Sequence, residues 1–490
     1  MAEQGQPLSN IEELYADAAH WHVNTGGETI HAKRIPGFFR NLKWYAAASW
    51  LVYLTMPYVR WNGQQAILFD VPHRQFHLFA LTIWPQDIWM LSLVLILLAI
   101  TLFGVTAVAG RVWCGYFCFQ TVWTDVFTWI EDKIEGNPIQ RRKLDAAPWS
   151  VRKIRLKLFK HSLWMVIAII TGVTFAGYFA DIYQLWHDYL VLDVPMIGWV
   201  VLAAFVFGTY VFAGLMREQV CFWLCPYARI QSVMVDKNTI VPTYDVNRGE
   251  PRGRVRGSKD GGSGRGDCVD CHLCVGVCPT GVDIREGLQE GCITCGMCID
   301  ACDSVMDKVG KPRGLIRYMS AMEMQGEKLP PLYKRTRVLV YSSIILLSAV
   351  GILYGLTHIN PLQLTVLHER QPLFIRMSDG SIANKYTIKA VNKTGSDVPI
   401  KLKVEGIDVL SMVVNDGAPV VLSATNIIPF QVLVRARPES LKHQNTPIRF
   451  EMEAEGEHKI ELEYKSVFVR PQDTEDEDEH EHEHEHEGRD

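Results

Sequence analysis

Cysteine is missing from most of this 490-residue chain. None of the twelve cysteines precedes Cys114 and none follows Cys302, so the C-terminal third contains no thiol. A disulfide framework and a thiolate metal site are therefore excluded from that part. A strong net charge is also missing, because the formal value is −5 and acidic residues are concentrated after Pro471. Composition thus gives no argument for nucleic-acid binding, and we expect none.

The N-terminus lacks the pattern of a cleavable signal peptide, because the residues before position 30 are acidic and polar. We therefore expect the first apolar run to be a retained anchor. Five runs are long enough to cross a bilayer, at 42–59, 86–109, 160–180, 194–215 and 337–357. A single run is compatible with a buried soluble helix, but five with Trp and Tyr near their ends predict a multi-span membrane protein.

Basic residues are unevenly distributed among the loops. Four lie before or at the start of the first run (Lys33, Arg34, Arg40 and Lys43) and several lie in the loop 110–159, whereas the loop 181–193 has none. Because cytoplasmic loops carry the excess of Lys and Arg, the N-terminus, the loop 110–159 and residues 216–336 are predicted to face the cytoplasm. With five spans, the C-terminal part then lies on the outer side.

Eight cysteines form two consecutive runs joined by a short spacer. The runs are Cys268-x₂-Cys271-x₂-Cys274-x₃-Cys278 and Cys292-x₂-Cys295-x₂-Cys298-x₃-Cys302. This doubled spacing is typical of a pair of [4Fe–4S] clusters, in which the fourth cysteine of each run ligates the other cluster. Disulfides suit small secreted domains, and zinc sites present separated cysteine pairs, so both alternatives are weaker. Electron transfer is the predicted function.

The other four cysteines form two pairs in an internal repeat. The second apolar run leads into Cys114 and Cys118, and the fourth leads into Cys221 and Cys225, which Pro226 follows. If the helix continues through each pair, the i, i+4 spacing places both sulfurs on one face. Four soft ligands suit a further iron–sulfur cluster, Cu(I) or zinc. A reversible dithiol and simple packing of small side chains remain alternatives.

The remaining segments differ sharply in composition. A Gly- and Arg-rich stretch before the cluster cysteines predicts a flexible linker, and alternating runs after the fifth span predict an immunoglobulin-like sandwich. We therefore divide the chain into an N-terminal tail (1–35), a four-span membrane domain (36–245), a linker (246–266), a ferredoxin-like segment (267–310), a connector (311–336), a fifth span (337–357), a sandwich (358–471) and an acidic tail (472–490). The predicted fold class is thus multi-domain: an α-helical membrane part of five spans, an inserted double-cluster segment and a C-terminal all-β domain.

Histidine alternates with glutamate near the C-terminus, at His480, His482, His484 and His486. Such ligands bind Cu(II), which has the highest affinity among the divalent first-row metals. The alternative is a disordered tail that increases solubility. The predicted topology places this tail on the outer face, away from the cluster cysteines.

The ordered combination of these motifs resembles the CcoG family, also called FixG or RdxA. The resemblance rests on the double cluster motif, the upstream segment QAILFDVPHRQFHLFALTIWPQD, the two C-x₃-C elements and the trailing sandwich. It implies a bacterial inner-membrane polyferredoxin that supports maturation of cbb₃-type cytochrome oxidase with its assembly factors. The activity it implies is a cupric reductase, which reduces Cu(II) to Cu(I). It also implies clusters on the cytoplasmic side and a periplasmic sandwich.

The resemblance also implies two ligand sets. One cluster is held by Cys268, Cys271, Cys274 and Cys302, and the other by Cys278, Cys292, Cys295 and Cys298. The chain departs from the simplest bacterial ferredoxins at Asp303, where proline is usual, and in the short spacer between Cys278 and Cys292. Both departures put the soluble-ferredoxin fold in doubt.

Two other functions fit the same motifs. The chain is similar in layout to membrane polyferredoxins that pass quinol electrons to nitrate or nitrous oxide reductases, although the sandwich favours the oxidase accessory family. It also fits an assembly scaffold with structural clusters. The sequence does not identify the electron donor, but it predicts contacts with membrane lipid and copper ions.

Overall fold

The structure is a computed structural model. It describes residues 15, 21, 23–24, 30–72, 74–79, 81–83, 87–254, 265–358, 362–393, 397–417, 420–423, 427–441, 443–454 and 460–471. The chain forms two compact units, Met1–Tyr354 and Gly355–Asp490. The histidine-rich tail and the centre of the predicted linker lie outside the described residues.

The first unit is mainly helical. Its α-helices in chain order are α1 (Phe38–Ala48), α2 (Trp50–Thr55), α3 (Ile88–Ala109), α4 (Val112–Tyr116), α5 (Phe119–Ile134), α6 (Pro138–Ala146), α7 (Val151–Ala176), α8 (Ile182–Val191), α9 (Met196–Gly208), α10 (Pro226–Met234), α11 (Val246–Gly249), α12 (Leu273–Gly276), α13 (Met297–Val309), α14 (Ala321–Met324) and α15 (Thr336–Thr357). Two π-helical stretches follow α9, at Thr209–Met216 and Val220–Leu224. Short 3₁₀ turns lie at Met56–Tyr58, Ile284–Glu286 and Leu332–Lys334.

Four helical segments of the described chain are long and apolar enough to cross a membrane. They are α3, α7, the run Met196–Met216 formed by α9 and its π-helical continuation, and α15. These agree with the second to fifth predicted spans. The third span begins earlier than predicted, at Val151 instead of 160, because its basic first turns continue the same helix. The Ser150 side chain accepts the N–H of Lys153 and caps this start.

The first predicted span, 42–59, is divided instead of forming one long helix. It consists of α1, α2 and the 3₁₀ turn Met56–Tyr58, with a break at Ser49, whose hydroxyl donates to the Ala46 carbonyl at 2.6 Å. Side-chain bonding to the backbone of the preceding turn bends a helix at such a point.

Contacts at the two ends of this segment show what it packs against. At its start, Arg40 and Lys43 pair with Asp125, which lies in α5. Beyond its end, Gln65 donates to the carbonyl of Gly177, directly after the C-terminal end of α7. The first contact is with α5 and not with the start of α7, so a fifth crossing stays a prediction.

The first unit also contains short antiparallel strands. They are β1 (Arg60–Trp61), β2 (Gln64–Gln65), β3 (Ile67–Asp70), β4 (Gln75–Leu78), β5 (Leu81–Ile83), β6 (Val241–Tyr244) and β7 (Ile316–Met319). Strands β6 and β7 pair with Val241 opposite Met319 and Tyr244 opposite Ile316. This ribbon joins the two ends of the segment that carries the eight cluster cysteines.

The cluster-cysteine segment differs from the predicted tethered domain. The described flanks of the linker are structured, because Arg248 pairs with Asp267 and the N–H of Gly253 donates to the Cys268 carbonyl. The spacer after Cys278 contains only the 3₁₀ turn Ile284–Glu286, as its shortness predicts. Asp303, the other departure, accepts the N–H of Gly314 at 2.9 Å and fixes the chain beyond α13.

The second unit is an antiparallel β-sandwich, as predicted. Its strands are β8 (Leu362–His368), β9 (Ile375–Arg376), β10 (Ile382–Asn392), β11 (Val398–Glu405), β12 (Val409–Val414), β13 (Val421–Leu422), β14 (Ile427–Ala436), β15 (Asn445–Ala454) and β16 (Ile460–Val469). One sheet has the order β12-β14-β10-β8, with β9 beside β10, and the other has the order β13-β11-β15-β16. Alternate residues of β14 and β15 are buried in the shared core, where Tyr386 meets Phe450 with ring centres 4.9 Å apart. Period-two alternation is the pattern that predicted these strands.

Candidate metal centres

Two cavities in the cluster-cysteine segment correspond to the two predicted ligand sets. Four cysteines line the first, with walls formed by Val305, Met306 and Leu315; these cysteines are Cys268, Cys271, Cys274 and Cys302. The second is lined by Cys278, Cys292, Cys295 and Cys298, with Cys274 at its border. The last cysteine of each run thus lines the cavity of the other run's first three, which is the exchange that two-cluster proteins use.

The cysteine loops place backbone N–H groups on the sulfurs. Leu273, Thr294 and Met297 each donate a backbone hydrogen bond to the cysteine two positions earlier. His272 precedes Leu273 and has a positive φ of 54°, and Gly296 precedes Met297 and has a positive φ of 74°. These left-handed residues turn the chain back over the sulfur. Such hydrogen bonds stabilise negative charge and raise the potential of a bound cluster.

The chemistry of both cavities fits a [4Fe–4S] cluster. Each offers four thiols, the ligand set of such clusters, within apolar walls. Burial raises the pKa of Cys292 and of Cys302 to about 12, so both free thiols hold their protons at neutral pH. Thiolate binding to a metal releases these protons.

A single metal ion fits less well. One tetrahedral ion with bonds of about 2.3 Å requires sulfurs about 3.8 Å apart. In the part of the chain that the structure describes, no group of three or more His, Cys, Asp or Glu side chains is arranged to hold one ion. Four thiols that line one cavity without converging on a single ion suit the separate corners of a cluster.

The two C-x₃-C pairs have the same backbone geometry, although not the predicted one. The helix does not continue through either pair: Cys118 and Cys225 are extended residues, each the N-cap of a following helix. Each donates its N–H to the carbonyl five residues earlier, Cys118 to Trp113 at 3.0 Å and Cys225 to Val220 at 2.9 Å. The predicted repeat is therefore real, but the i, i+4 helix face is not.

The repeat extends to the residue four positions before each pair. Gly110 has φ 59° and ψ −136°, and Arg217 has φ 47° and ψ −117°. A left-handed turn of this kind breaks the helix at the membrane face and starts the cysteine loop. Glycine adopts it without strain, whereas a residue with a Cβ does not.

The four cysteines of the pairs, which we name the membrane-face cysteines, lie close together. The charge on Cys118 and Cys225 affects the pKa of Cys114, and Cys114, Cys118 and Cys225 all affect that of Cys221. Burial, followed by these neighbours, raises the pKa of Cys114 to about 11 and of Cys221 to about 12. The Cys114 thiol also donates to Oε1 of Gln231, at 3.1 Å.

The membrane-face cysteines lie directly beside the second cavity. The Tyr116 hydroxyl donates to the Cys295 carbonyl at 2.8 Å. A Cβ added to Gly115 would lie 2.6 Å from the Ile293 carbonyl oxygen, so only glycine permits this approach. Arg111 donates to the Glu290 carbonyl, and its charge lowers the pKa of Cys114, Cys221 and Cys292. One guanidinium therefore acts on both groups of thiols.

Sequence reasoning missed Arg111, Tyr116 and Gln231. Arg111 is three residues before Cys114, and a charged residue between a span and a cysteine pair was a usable signal. Gln231 had no signal, because its contact joins α10 to Cys114 across 117 residues.

Fold and site define a membrane protein that binds iron–sulfur clusters and transfers electrons. Residues 216–321 match the family described as "4Fe-4S dicluster domain", and 352–471 match "IG-like fold at C-terminal of FixG". A third family, "4Fe-4S binding domain", matches 91–145 and 195–236, the two segments with the membrane-face cysteines.

Three curated proteins are similar over most of the chain. "Nitrogen fixation protein FixG" from Rhizobium meliloti is 40% identical over 83% of this chain and 86% of its own length. "Protein RdxA" from Cereibacter sphaeroides is 38% identical over 81% and 88%, and "Protein RdxB" from the same organism is 40% identical over 75% and 80%. The chain belongs to the FixG/RdxA family, which confirms the resemblance.

Proposed function

We propose that this chain reduces Cu(II) to Cu(I) at the membrane-face cysteines during maturation of a cbb₃-type cytochrome oxidase. The observation that carries this proposal is the contact between the loop of Cys292 and Cys295 and the loop of Cys114. Tyr116 and Arg111 bridge the two loops by hydrogen bonds to backbone carbonyls. Electron transfer is favoured over so short a separation, because the two loops are in direct contact.

The cysteine runs are proposed to hold the clusters as the sequence predicts. Cys268, Cys271, Cys274 and Cys302 would hold one, and Cys278, Cys292, Cys295 and Cys298 the other. When bound, each cluster supplies one electron at a time. The residues around them exclude water and donate N–H groups to the sulfurs, which sets the potential.

Copper would be the substrate of the membrane-face cysteines. No three of them converge on one point in the described structure, so a Cu(II) ion would draw their side chains together. Thiolates are soft ligands that favour Cu(I) over Cu(II), so a bound Cu(II) ion gains one electron more readily there than in water. Buried Gln231 fixes the Cys114 sulfur and is itself held by a hydrogen bond to Thr106 at 3.0 Å. This chain of contacts orients the site on α3 and α10.

We further propose an inner-membrane location with the cluster cysteines on the cytoplasmic side and the sandwich in the periplasm. The basic loop 110–159 supports this orientation, and five crossings would put the N-terminus and the sandwich on opposite sides. The histidine-rich tail, His480 to His486, would gather copper in the periplasm. The oxidase assembly factors and the electron donor would be its partners.

The test is anaerobic purification with metal counting, followed by Cu(II) addition to the reduced protein. We expect about eight iron atoms per chain for two clusters, and about twelve if the membrane-face cysteines hold a third. Changing Cys114, Cys118, Cys221 and Cys225 to serine should abolish Cu(II) reduction while about eight irons remain. Trp223→Phe, an exposed change between two of these cysteines, is the matched control and should reduce copper normally.

Unchanged copper reduction in the four-serine variant would overturn the proposal. Reduction of the clusters by a quinol with no response to copper would favour the general electron-transfer function. Complete oxidase assembly by variants that lack clusters would favour the scaffold.

A further inference from the structure

A cavity lies between the cluster-cysteine segment, helix α5 and the loop that carries Cys221. Cys221 and Ile293 form part of its wall, so it adjoins both groups of thiols. It is partly open to solvent. Six cationic side chains line it: Lys33, Arg34, Arg40, Lys43, Arg141 and Arg217. Only two carboxylates, Asp125 and Glu218, are among the lining residues.

The cations exceed the carboxylates that neutralise them. Asp125 accepts ion pairs from Arg34 at 3.0 Å, Arg40 at 3.2 Å and Lys43 at 3.0 Å, so one negative charge serves three positive ones. Burial raises the pKa of Glu218, which weakens its contribution as an anion. Burying several cations beside few carboxylates is costly unless an anion joins them.

Two guanidinium groups in the cavity wall each have one nitrogen without a hydrogen-bond acceptor. The side chains of Arg141 and Arg217 are only 1% and 5% exposed. Both pair with Glu131, but the Nε of Arg141 and the Nη1 of Arg217 have no hydrogen-bond partner among the described residues. Leaving such a buried donor unsatisfied destabilises the folded protein. An oxygen-rich anion would supply the missing acceptors.

The backbone at Arg217 provides an independent indication. Its repeat counterpart Gly110 adopts the same left-handed conformation without strain, whereas an arginine in this conformation is strained. The chain therefore retains a long cationic side chain at a position where glycine is the relaxed choice. Strain of this kind is found where a side chain serves a function.

We propose that this cavity binds an oxyanion, a phosphate or carboxylate group, through Arg141 and Arg217. Arginine's planar donors match the paired oxygens of such groups. The hydroxyl of Thr128 accepts a hydrogen bond from Arg34 at 2.8 Å and holds that guanidinium beside the cavity. The anion comes either from the headgroup of an acidic phospholipid or from a free solute.

The experiment uses the full-length protein with its clusters. In one arm, it is purified from nanodiscs of phosphatidylcholine with and without phosphatidylglycerol, and retained lipid is identified by mass spectrometry. In the other, delipidated protein is titrated with inorganic phosphate at constant ionic strength in a calorimeter. Retention of about one phosphatidylglycerol per chain identifies a lipid source, and saturable phosphate binding identifies a free one.

The decisive variant is Arg217→Gly, which installs the residue of the repeat counterpart and removes the strain. We expect it to weaken the binding found in either arm at least tenfold. Arg313→Gln removes an exposed cation paired with Asp307 and should leave binding unchanged. Iron content reports whether each variant is folded. If Arg217→Gly loses iron, Arg34→Gln is tested in its place. This change removes a lining cation that pairs with Asp125, and we expect the same tenfold loss of binding.

Absence of both lipid retention and phosphate binding in the unaltered protein overturns the proposal. Equal binding by the unaltered protein and by the folded cavity variant also overturns it.

Discussion

The two units of this protein are stabilised by opposite kinds of interior. The described part of the sandwich buries rings and aliphatic side chains, and its buried polar residues are the uncharged Ser381, Asn384 and Asn392. The first unit buries thiols and charged groups, with Glu131 and Arg141 only 2% and 1% exposed. The sandwich therefore has a core that is complete without a cofactor. The first unit has a core that metal and ion pairs must complete.

This difference predicts how each unit fails. Loss of a cluster ligand removes the group around which the first unit packs, because its apolar core surrounds the same cysteines. Loss of a ring in the sandwich leaves a cavity and acts there alone. A substitution of a cluster ligand should therefore lower the iron content and leave the sandwich stable. A substitution in the sandwich core should lower the stability of the sandwich and leave the iron content unchanged.

The largest effect is expected for Cys298→Ser. Cys298 lines the second cavity from the first turns of α13, so its loss should remove one cluster and lower iron from about eight to about four atoms per chain. Iron counting with electron paramagnetic resonance measures this. The control is Ser304→Ala on the same helix, where the hydroxyl bonds only to the local backbone. Full iron content in the cysteine variant would contradict the ligand assignment.

For Phe450→Ala we expect a loss of sandwich stability without a loss of iron. Phe450 is fully buried against Tyr386, and its truncation should destabilise the sandwich by about 3–5 kcal/mol. Iron content should stay unchanged. Thermal unfolding followed by circular dichroism measures the loss, with Val467→Ala, a 41% exposed position, as control. A parallel loss of iron would show that the units are not independent.

Asp125→Asn tests the buried charges of the first unit. It leaves Arg34, Arg40 and Lys43 without their shared carboxylate, so we expect a loss of about 3 kcal/mol. The temperature at which cluster absorbance disappears is the measurement. Asp307→Asn, which breaks the exposed pair with Arg313, should change it little. Equal shifts in both variants would remove the distinction between buried and exposed pairs.

Acid should weaken the first unit through His31. Burial, followed by the charges of Arg141 and Arg217, lowers the pKa of His31 to about 4. Between pH 6.5 and about 4 the unfolded chain takes up a proton that the folded chain does not, so stability falls as pH falls. At pH 5 the loss relative to pH 8 is about 2 kcal/mol. His31→Gln should flatten this part of the cluster-loss profile; an unchanged slope would exclude His31 as its cause.

The smallest effect is expected for Arg111→Gln. Its positive charge stabilises the reduced, more negative state of a cluster beside Cys292 and of the membrane-face site. Removing about 1 kcal/mol of this interaction should lower the midpoint potential by about 40 mV. A redox titration measures the shift, and Arg60→Gln, which pairs with Asp181 far from the thiols, is the control. No shift at either centre would mean that Arg111 is structural alone.

The sequence predicted the parts of this structure that local patterns determine. Period-two alternation predicted β10, β14, β15 and β16, and hydrophobic length predicted α3 and α15 within two residues at each end. Cysteine spacing predicted which thiols share a cavity.

These local patterns could not predict the non-local contacts or the strained turns. The turn at Gly110 ends the helix before Cys114, so continuing the helical period through the pair was wrong. The docking of the cluster-cysteine segment depends on Tyr116 reaching Cys295, a contact between residues 179 apart. No periodicity or composition reports such a contact, and a glycine- and arginine-rich flank suggested a tether instead.

We propose that electrons pass from clusters held by the cluster cysteines to copper across the contact at Tyr116. The most direct test of this proposal is rapid freeze-quench of the reduced protein mixed with one equivalent of Cu(II), with both signals followed by electron paramagnetic resonance. We predict that the Cu(II) signal disappears and the reduced-cluster signal decreases with the same rate constant. Loss of the Cu(II) signal while the clusters remain reduced would rule out electron transfer from the clusters to copper.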